Sequence, residues 1–508
     1  MPQAKNAVLA RTDRVALILG ALTFAFHLAF ANRYGVFRDE LYFIVCGRHP
    51  ALGYADQPPL VPLLAAGLYG FGAQTWLLRL PAVLAAAALV WLAVRFTRLV
   101  GGGDAAAWTA GIAAAAAPMF MGLAATLNTT TFEPLAWTFV AYALARALLR
   151  EDDRILWWCG LVAGLAMEVK YALPMWLAAL AVGLLATPER RLLKRPALWG
   201  ALALAVAIAL PSVFWQAAHG WPFPALVRNA GAKDAAVAPL AFYVNQVFVL
   251  NPWFAPLWLA GIIAPFAMRA LAPLRFIATA YVVTACAIVA GHGKDYYLAP
   301  AYAPLLAVGA VAFEQVVRSR SLRVAYLGLA VAFSAVAAPL ALPILPPAAL
   351  VAYQRTLHLA PQQQERGDAA TPLPSTFADM LGWHDLVRQV AAAYGRIPPA
   401  QRARTSILVD NYGEAAALDL YGTPYGLPPA LSGHNQYGFW GLRGQDPQNI
   451  VRVQNHVDRL RPFCRTTILV SQTFSPYARG FENGKAIALC LGLHPALRKL
   501  FPSLQEMI

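Results

Sequence analysis

Two adjacent carboxylates, Asp39 and Glu40, follow a long apolar stretch in the run Arg38-Asp39-Glu40-Leu41-Tyr42, and a second polar run, Gly53-Tyr54-Ala55-Asp56-Gln57-Pro58-Pro59-Leu60, comes shortly after. Carboxylates beside a membrane face are costly to hold in a partly dry cleft unless they are paired or used. Arg38 can pair with one of them. If used, Asp39 is a general base that takes a proton from an acceptor nucleophile. If unused, the run is a solvated interfacial loop.

Four further places carry chemistry. Glu133 follows Asn128-Thr129-Thr130-Thr131-Phe132. It either caps a helix N-terminus, as Thr130 or Thr131 also could, or acts as a second acid that orients an acceptor. Lys170 lies between two apolar segments, where it snorkels to the interface or contacts an anion. His292, Lys294, Tyr296 and Tyr297 supply a cation with neighbouring donors. A phosphate leaving group gains negative charge as its bond breaks, and such a cation stabilises that charge. The alternatives are a basic turn with an interfacial aromatic belt, or a lysine neutralised by Asp295. Between residues 216 and 253, His219, Trp221, Tyr243, Asn245, Gln246 and Asn251 are suited to stack on and hydrogen-bond a sugar, or to dock another domain, and Arg228 is a second phosphate-ligand candidate.

These residues must be positioned by a chain of 508 residues that is 59% hydrophobic and 13% charged. A soluble protein could not hide that much apolar surface. Disorder, a secreted disulfide scaffold and an ordinary cytosolic enzyme are excluded. The net charge of +15 comes from 40 Lys and Arg against 25 Asp and Glu. The excess sits in short gaps between apolar runs, with no basic stripe interleaved with aromatics, so nucleic acid is not the expected partner.

Segments long enough to span a bilayer are read near 14–32, 78–99, 105–125, 132–149, 155–169, 171–187, 197–216, 254–270, 274–291, 296–313 and 323–342, which predicts about 11 transmembrane helices. An N-terminus inside puts most of the basic residues before residue 350 on the cytoplasmic side, and an odd number of spans leaves the C-terminal residues outside, in the periplasm of a bacterium. Ala31-Asn32-Arg33 lacks the small-residue cleavage site of a secretory signal, so the first segment is read as a retained span.

Residues 1–350 are therefore expected to form the membrane domain, 351–373 a linker centred on Pro361-Gln362-Gln363-Gln364-Glu365-Arg366-Gly367-Asp368, and 374–508 an extracytoplasmic α/β domain. Helical spacing runs from Asp379 to Tyr394 and from Gly413 to Tyr421, and Ser406 to Asp410 and Thr466 to Ser471 read as strands. Cys464 and Cys490 fall in this external domain, where they are either disulfide-bonded or free; Cys46, Cys159 and Cys286 read as small packing residues. Neither CxxC nor a zinc-spaced Cys/His cluster is present.

The runs Arg38 to Tyr42, Asp56 to Leu60, Gly164 to Tyr171 and Gly293-Lys294-Asp295-Tyr296-Tyr297-Leu298-Ala299-Pro300, continued outside by Asn411-Tyr412-Gly413-Glu414-Ala415 and Ser432-Gly433-His434-Asn435, together resemble the bacterial dolichyl-phosphate-mannose-protein mannosyltransferase-like glycosyltransferases. These have the GT-C fold and are related to the lipid A aminoarabinose transferases. The resemblance implies a sugar donor carried on a polyprenyl phosphate. It makes Asp39 the catalytic base or an acceptor ligand and Glu40 a supporting carboxylate. It places Lys170 on the donor phosphate, where Lys294, Arg228, Tyr296 and Tyr297 are expected from their own chemistry. Arg38, Tyr42, Asp56, Gln57, Glu133 and His292 form the expected acceptor- and sugar-binding set. Gln57 stands where many members carry His, and no metal or proton-relay role is carried onto it. In some members a metal meets the acid that matches Glu133, so the need for a divalent ion is left open.

A nucleotide-sugar enzyme would need a phosphate-cradling loop or a cytoplasmic DxD, and Gly101-Gly102-Gly103-Asp104 is followed by no Lys-Ser/Thr pair. The expected activity is transfer of a sugar, by single-displacement inversion at the anomeric carbon, from a lipid-linked donor onto an envelope lipid, glycan or protein at the outer face of the cytoplasmic membrane. The rival class is a lipid or glycolipid transporter, which should show inverted repeats and interrupted helices in matched positions; none is read.

Overall fold

The structure is a computed structural model that describes residues 2–233, 238–359 and 371–507. The chain forms two compact units. The first comprises Met1–Arg33, Trp76–Val213 and Ala236–Ile344, and the second Tyr34–Thr75, Phe214–Ala235 and Leu345–Ile508. The core of the expected linker, residues 361–368, lies outside the described residues.

The first unit is helical. Among the described residues, five helices are long and apolar enough to cross a membrane: Thr75–Leu99, Pro196–Ala218, Arg269–Ala290, Asp295–Val316 and Arg320–Ala341. A sixth span results if Pro239–Leu250 and Pro252–Ala267, which meet at 98°, count as one. Arg14–Phe30, Arg154–Met167 and Leu173–Leu185 are apolar but shorter. The eleven expected segments thus map onto elements of unequal length, and prolines account for part of this. The segment read at 105–125 breaks into Asp104–Ala116 and Pro118–Leu123 because Ala117, held extended by the following proline, cannot continue the helix. The 98° bend falls at Asn251, whose φ is +101°. Its amide donates to Ala330 O and Ser334 Oγ, both at 2.8 Å, and its Oδ1 accepts from Trp253 N at 2.9 Å, so the broken backbone is satisfied by side-chain bonds.

Small residues bring these helices together. A Cβ on Gly309 would lie 1.8 Å from Leu257 O, so Ala255–Ala267 and Tyr302–Val316 touch backbone to backbone, as apolar spans do when they lack a hydrophobic drive to associate. Trp137 and Trp176, both fully buried, stack at 5.2 Å between centroids.

The second unit is built on a five-stranded sheet: β1 (Thr405–Val409), β2 (Leu431–Ser432), β3 (Asn449–Gln454), β4 (Cys464–Gln472) and β5 (Ala486–Leu493), in the order β2-β1-β3-β5-β4. β1 runs parallel to β2 and β3, and β5 is antiparallel to β3 and β4. A disulfide joins Cys464 to Cys490 across the β4–β5 pair. The helix Trp383–Gly395 buries Trp383, Leu386, Val387, Val390 and Tyr394, a spacing that puts one apolar face on the sheet. Two helices from the first loop, Arg38–Arg48 and Leu60–Gly70, belong to this unit and pack on each other, and Arg38–Arg48 also packs against Tyr412–Tyr421.

Candidate functional site

Asp39 lies in the first turn of the Arg38–Arg48 helix, where the positive end of the helix dipole favours a carboxylate. Its Oδ1 accepts a hydrogen bond of 2.7 Å from the Tyr412 hydroxyl and stands 3.8 Å from Arg38 Nε. The side chain keeps 31% of its surface exposed. The Arg38 guanidinium lies over the rings of Tyr412 and Phe481 and 3.8 Å from Asp379, a carboxylate that also accepts from the buried Arg479 at 3.0 Å.

Asp56 joins the same cluster. Its Oδ1 accepts from the Tyr42 hydroxyl at 2.9 Å and its Oδ2 from the Asn435 amide at 3.2 Å. Tyr42 Oη in turn accepts from the Gln436 N–H at 3.0 Å, and Gln436 Oε1 accepts from Ala55 N at 2.9 Å. The rings of Tyr42 and Tyr412 lie 4.6 Å apart. Two tyrosine–carboxylate pairs therefore sit side by side. Burial pushes the Asp56 carboxyl up to about 6; the Tyr42 and Asn435 hydrogen bonds pull it down, and the Asp39 charge adds to the rise. Burial also holds the Tyr42 and Tyr412 phenols well above the usual tyrosine value, so both stay O–H donors at neutral pH.

Behind Tyr412 stands a buried ionic group. The Tyr412–Tyr421 helix opens with a capping box: Glu414 N donates to Asn411 Oδ1 at 3.0 Å, and Glu414 Oε2 accepts from Asp410 N and Asn411 N. Glu414 Oε1 meets Lys485 Nζ at 2.5 Å, and Lys485 also reaches Glu482 at 3.3 Å, whose other oxygen accepts from Asn411. Gly413 is the second residue of this helix, and a Cβ there would come within 2.6 Å of Arg38 Cγ. Only glycine lets the helix approach Arg38 so closely.

A second cluster lies in the helical unit. Lys170 Nζ donates to Glu133 Oε2 at 2.8 Å and to Thr130 Oγ1 at 3.2 Å, and lies 5.3 Å from the centre of the Tyr297 ring. Glu133 opens the Glu133–Arg150 helix after a turn in which Asn128 Oδ1 accepts from Thr130 N and Thr131 N. Tyr296 and Tyr297 meet edge to face at 4.8 Å. Lys294 precedes the short helix Asp295–Ala301 and is half-buried. Its neighbour Asp295 is held by Asn245, which donates to Oδ2 at 2.9 Å, and by Gln246, which donates to the backbone carbonyl at 3.1 Å.

Residues 56–215 match the family described as dolichyl-phosphate-mannose-protein mannosyltransferase. No curated protein sequence is a significant match. Among solved structures, ArnT from Cupriavidus metallidurans bound to undecaprenyl phosphate aligns with a TM-score of 0.58 over 94% of this chain and 97% of that chain, at 15% identity. The apo state of ArnT from the same organism gives 0.58 over 96% and 98%, also at 15% identity. The fold is that of the GT-C glycosyltransferases. With this fold and its apolar helices, the chain is a multi-pass membrane protein.

Within the GT-C frame, the structure sorts the residues expected from sequence. Arg38, Tyr42, Asp39 and Asp56 form one cluster, and Lys170, Glu133 and Tyr297 another. Glu40 is fully buried and its Oε2 accepts from Phe37 N at 2.8 Å, so it closes the first turn of the helix that carries Asp39. Gln57 is buried, with its backbone carbonyl accepting from Tyr54 N at 2.9 Å. His292 is exposed in a left-handed turn, and Arg228 is exposed on the Pro222–Lys233 helix. Among the described residues, no three His, Cys, Asp or Glu side chains converge as metal ligands. Sequence reasoning gave no role to Tyr412, Asn435 or Gln436. Tyr412 and Asn435 lie in the two C-terminal runs that carried the family resemblance, and those runs were the only signal.

Proposed function

We propose that the chain moves a sugar from a polyprenyl-phosphate donor onto an acceptor at the outer face of the cytoplasmic membrane, with inversion at the anomeric carbon. The observation that carries this reading is the gathering of Asp39 and Asp56 into one hydroxyl-lined cluster. The Tyr412 hydroxyl and the Arg38 guanidinium both address Oδ1 of Asp39, and the exposed part of the carboxylate takes the proton of the acceptor hydroxyl. The acceptor oxygen attacks the anomeric carbon as the glycosyl–phosphate bond breaks, and the electron pair leaves with the phosphate. Within the helical unit, Lys170 and Lys294 are the candidate ligands for the phosphate's growing negative charge, with the hydroxyls of Tyr296 and Tyr297.

Undecaprenyl phosphate in the ArnT structure supports a lipid-linked donor. The apolar segments of the sequence support a reading of eleven spans, the charge of the gaps between them supports a cytoplasmic N-terminus and a periplasmic C-terminal domain, and the acceptor is taken to be an envelope lipid, glycan or protein. Among the described residues nothing favours the lipid-transporter reading. The test is to incubate purified protein with a panel of polyprenyl-phosphate sugars. Release of free polyprenyl phosphate with one donor is the expected result; no release from any member, with or without candidate acceptors, contradicts the reading.

A further inference from the structure

The two C-terminal runs remain without a function, yet each supplies a side chain to the carboxylate cluster. The Tyr412 hydroxyl reaches Asp39 at 2.7 Å and the Asn435 amide reaches Asp56 at 3.2 Å. We propose that Tyr412 and Asn435 are positioning residues, through which the sheet-bearing part of the chain completes the transferase centre by fixing both loop carboxylates. The inference rests on the transferase reading above and assigns residues to that same site.

The backbone is built for this placement. Tyr412 is the first residue of a helix whose start is locked by the Asn411–Glu414 capping box and by Lys485, and the ring packs between Tyr42 at 4.6 Å and His434 at 4.9 Å. Its hydroxyl is therefore aimed with little freedom. Asn435 has φ +49° and ψ −129°, a strained conformation for any residue with a Cβ. Strain kept at a residue whose side chain grips Asp56 points to a task for that side chain. Gln436, next in sequence, holds both Tyr42 Oη and Ala55 N, so the 435–436 turn holds Ala55 and Asp56 of the second loop run and Tyr42 of the first.

The charged and titratable groups around the pair come from each packed element. Arg38 and Tyr412 face Asp39, and Tyr42, Cys46 and Asp39 face Asp56. Asp379 and Arg479 lie behind Arg38, and His434 lies against Tyr412. Loss of the Asn435 donor is expected to move the Asp56 pKa upward from about 6, and loss of the Asp39 charge to move it downward.

The experiment uses the full-length chain in lipid nanodiscs with four variants: Tyr412→Phe, Asn435→Gly, Asn435→Asp and Asp39→Asn. Tyr412→Phe keeps the packed ring, and Asn435→Gly relaxes the backbone while deleting the amide. Transfer kinetics are measured with whichever polyprenyl-phosphate sugar the wild type turns over, and Asp56 ionisation is followed without substrate by infrared spectroscopy of carbon-13-labelled aspartate. Tyr412→Phe is expected to lower kcat at least about tenfold with KM for the donor within about twofold. Asn435→Gly is expected to move the Asp56 titration upward and Asp39→Asn to move it downward, and Asn435→Asp to behave no better than Asn435→Gly. Wild-type kcat in Tyr412→Phe together with an unmoved Asp56 titration in Asn435→Gly overturns the inference. If Asp39→Asn is inactive in that case, Asp39 stands as the base without the inference; normal turnover in Asp39→Asn removes Asp39 as the base and leaves the transferase reading, which fails only if the wild type turns over no polyprenyl-phosphate sugar.

Discussion

Tyr412 and Asp39 share a 2.7 Å hydrogen bond across 373 positions of sequence. The bond ties the first loop to the helix that follows β1. It places a protonated phenol against a carboxylate that keeps part of its surface open. A neutral donor at one oxygen orients the carboxylate without neutralising it, which is what a general base requires.

The buried ion pair behind that helix should be costly to break. Lys485 and Glu414 are both nearly inaccessible, and burial pushes the Glu414 carboxyl up while the Lys485 charge opposes it. Lys485→Met leaves Glu414 and Glu482 without their cation and is expected to destabilise this unit by about 3–5 kcal/mol. The double variant Lys485→Met/Glu414→Gln should recover part of that loss. Thermal unfolding followed by the circular dichroism of the purified chain checks both, and an unchanged midpoint in the single variant contradicts the assignment.

Asp56 gives a pH dependence with a definite sign. Its folded value of about 6 lies above the ordinary aspartate value of 3.8, so the folded state holds this proton more tightly than the unfolded one. The stability it contributes is fully present below pH 4 and is lost as pH rises to 6. In Asp56→Asn that dependence disappears. The stability difference between wild type and variant should therefore drift by about 1–3 kcal/mol in the variant's favour between pH 4 and pH 7, the lower figure allowing for the partly exposed rim. Denaturant unfolding at the two pH values measures the drift, and a constant difference contradicts it.

Much of this arrangement was legible in the sequence, and the gaps have physical causes. The first-loop carboxylates stood out because charge beside an apolar run is expensive. Strand β1 was found within a residue because it is a short apolar run with polar flanks, and the Tyr412–Tyr421 helix because Gly413 to Tyr421 has helical spacing. Strands β3 and β5 were missed: Asn449–Gln454 is short, and the apolar run Ala486–Leu493 has no period that separates strand from helix. The turn-closing bond of Glu40 to Phe37 N was not legible, because no local pattern distinguishes a carboxylate that closes a helix turn from one that faces a cleft. Tyr412 and Asn435 could not be assigned because their partners lie far away in sequence, and only the tertiary fold brings them within reach.

Lys170 offers a separate test in the helical unit. Its ammonium is shared between Glu133, Thr130 and the Tyr297 ring, so it is held in place and partly neutralised before any donor arrives. Lys170→Met is expected to weaken binding of a polyprenyl-phosphate probe about tenfold or more, and Glu133→Gln, which frees the cation, to weaken it less or to strengthen it. Lys294→Ala should also weaken it. Competition binding with polyprenyl phosphate distinguishes these outcomes, and equal affinity in Lys170→Met and wild type removes Lys170 from the donor phosphate.

The most direct measurement is single-turnover transfer by Asp39→Asn, with occupancy by the lipid donor measured in the same sample. Asparagine keeps the shape and can still accept from Tyr412, but it cannot take the acceptor's proton. Donor occupancy equal to wild type with transfer slowed by about a hundredfold or more is the predicted result. Donor occupancy equal to wild type with transfer at the wild-type rate contradicts the account.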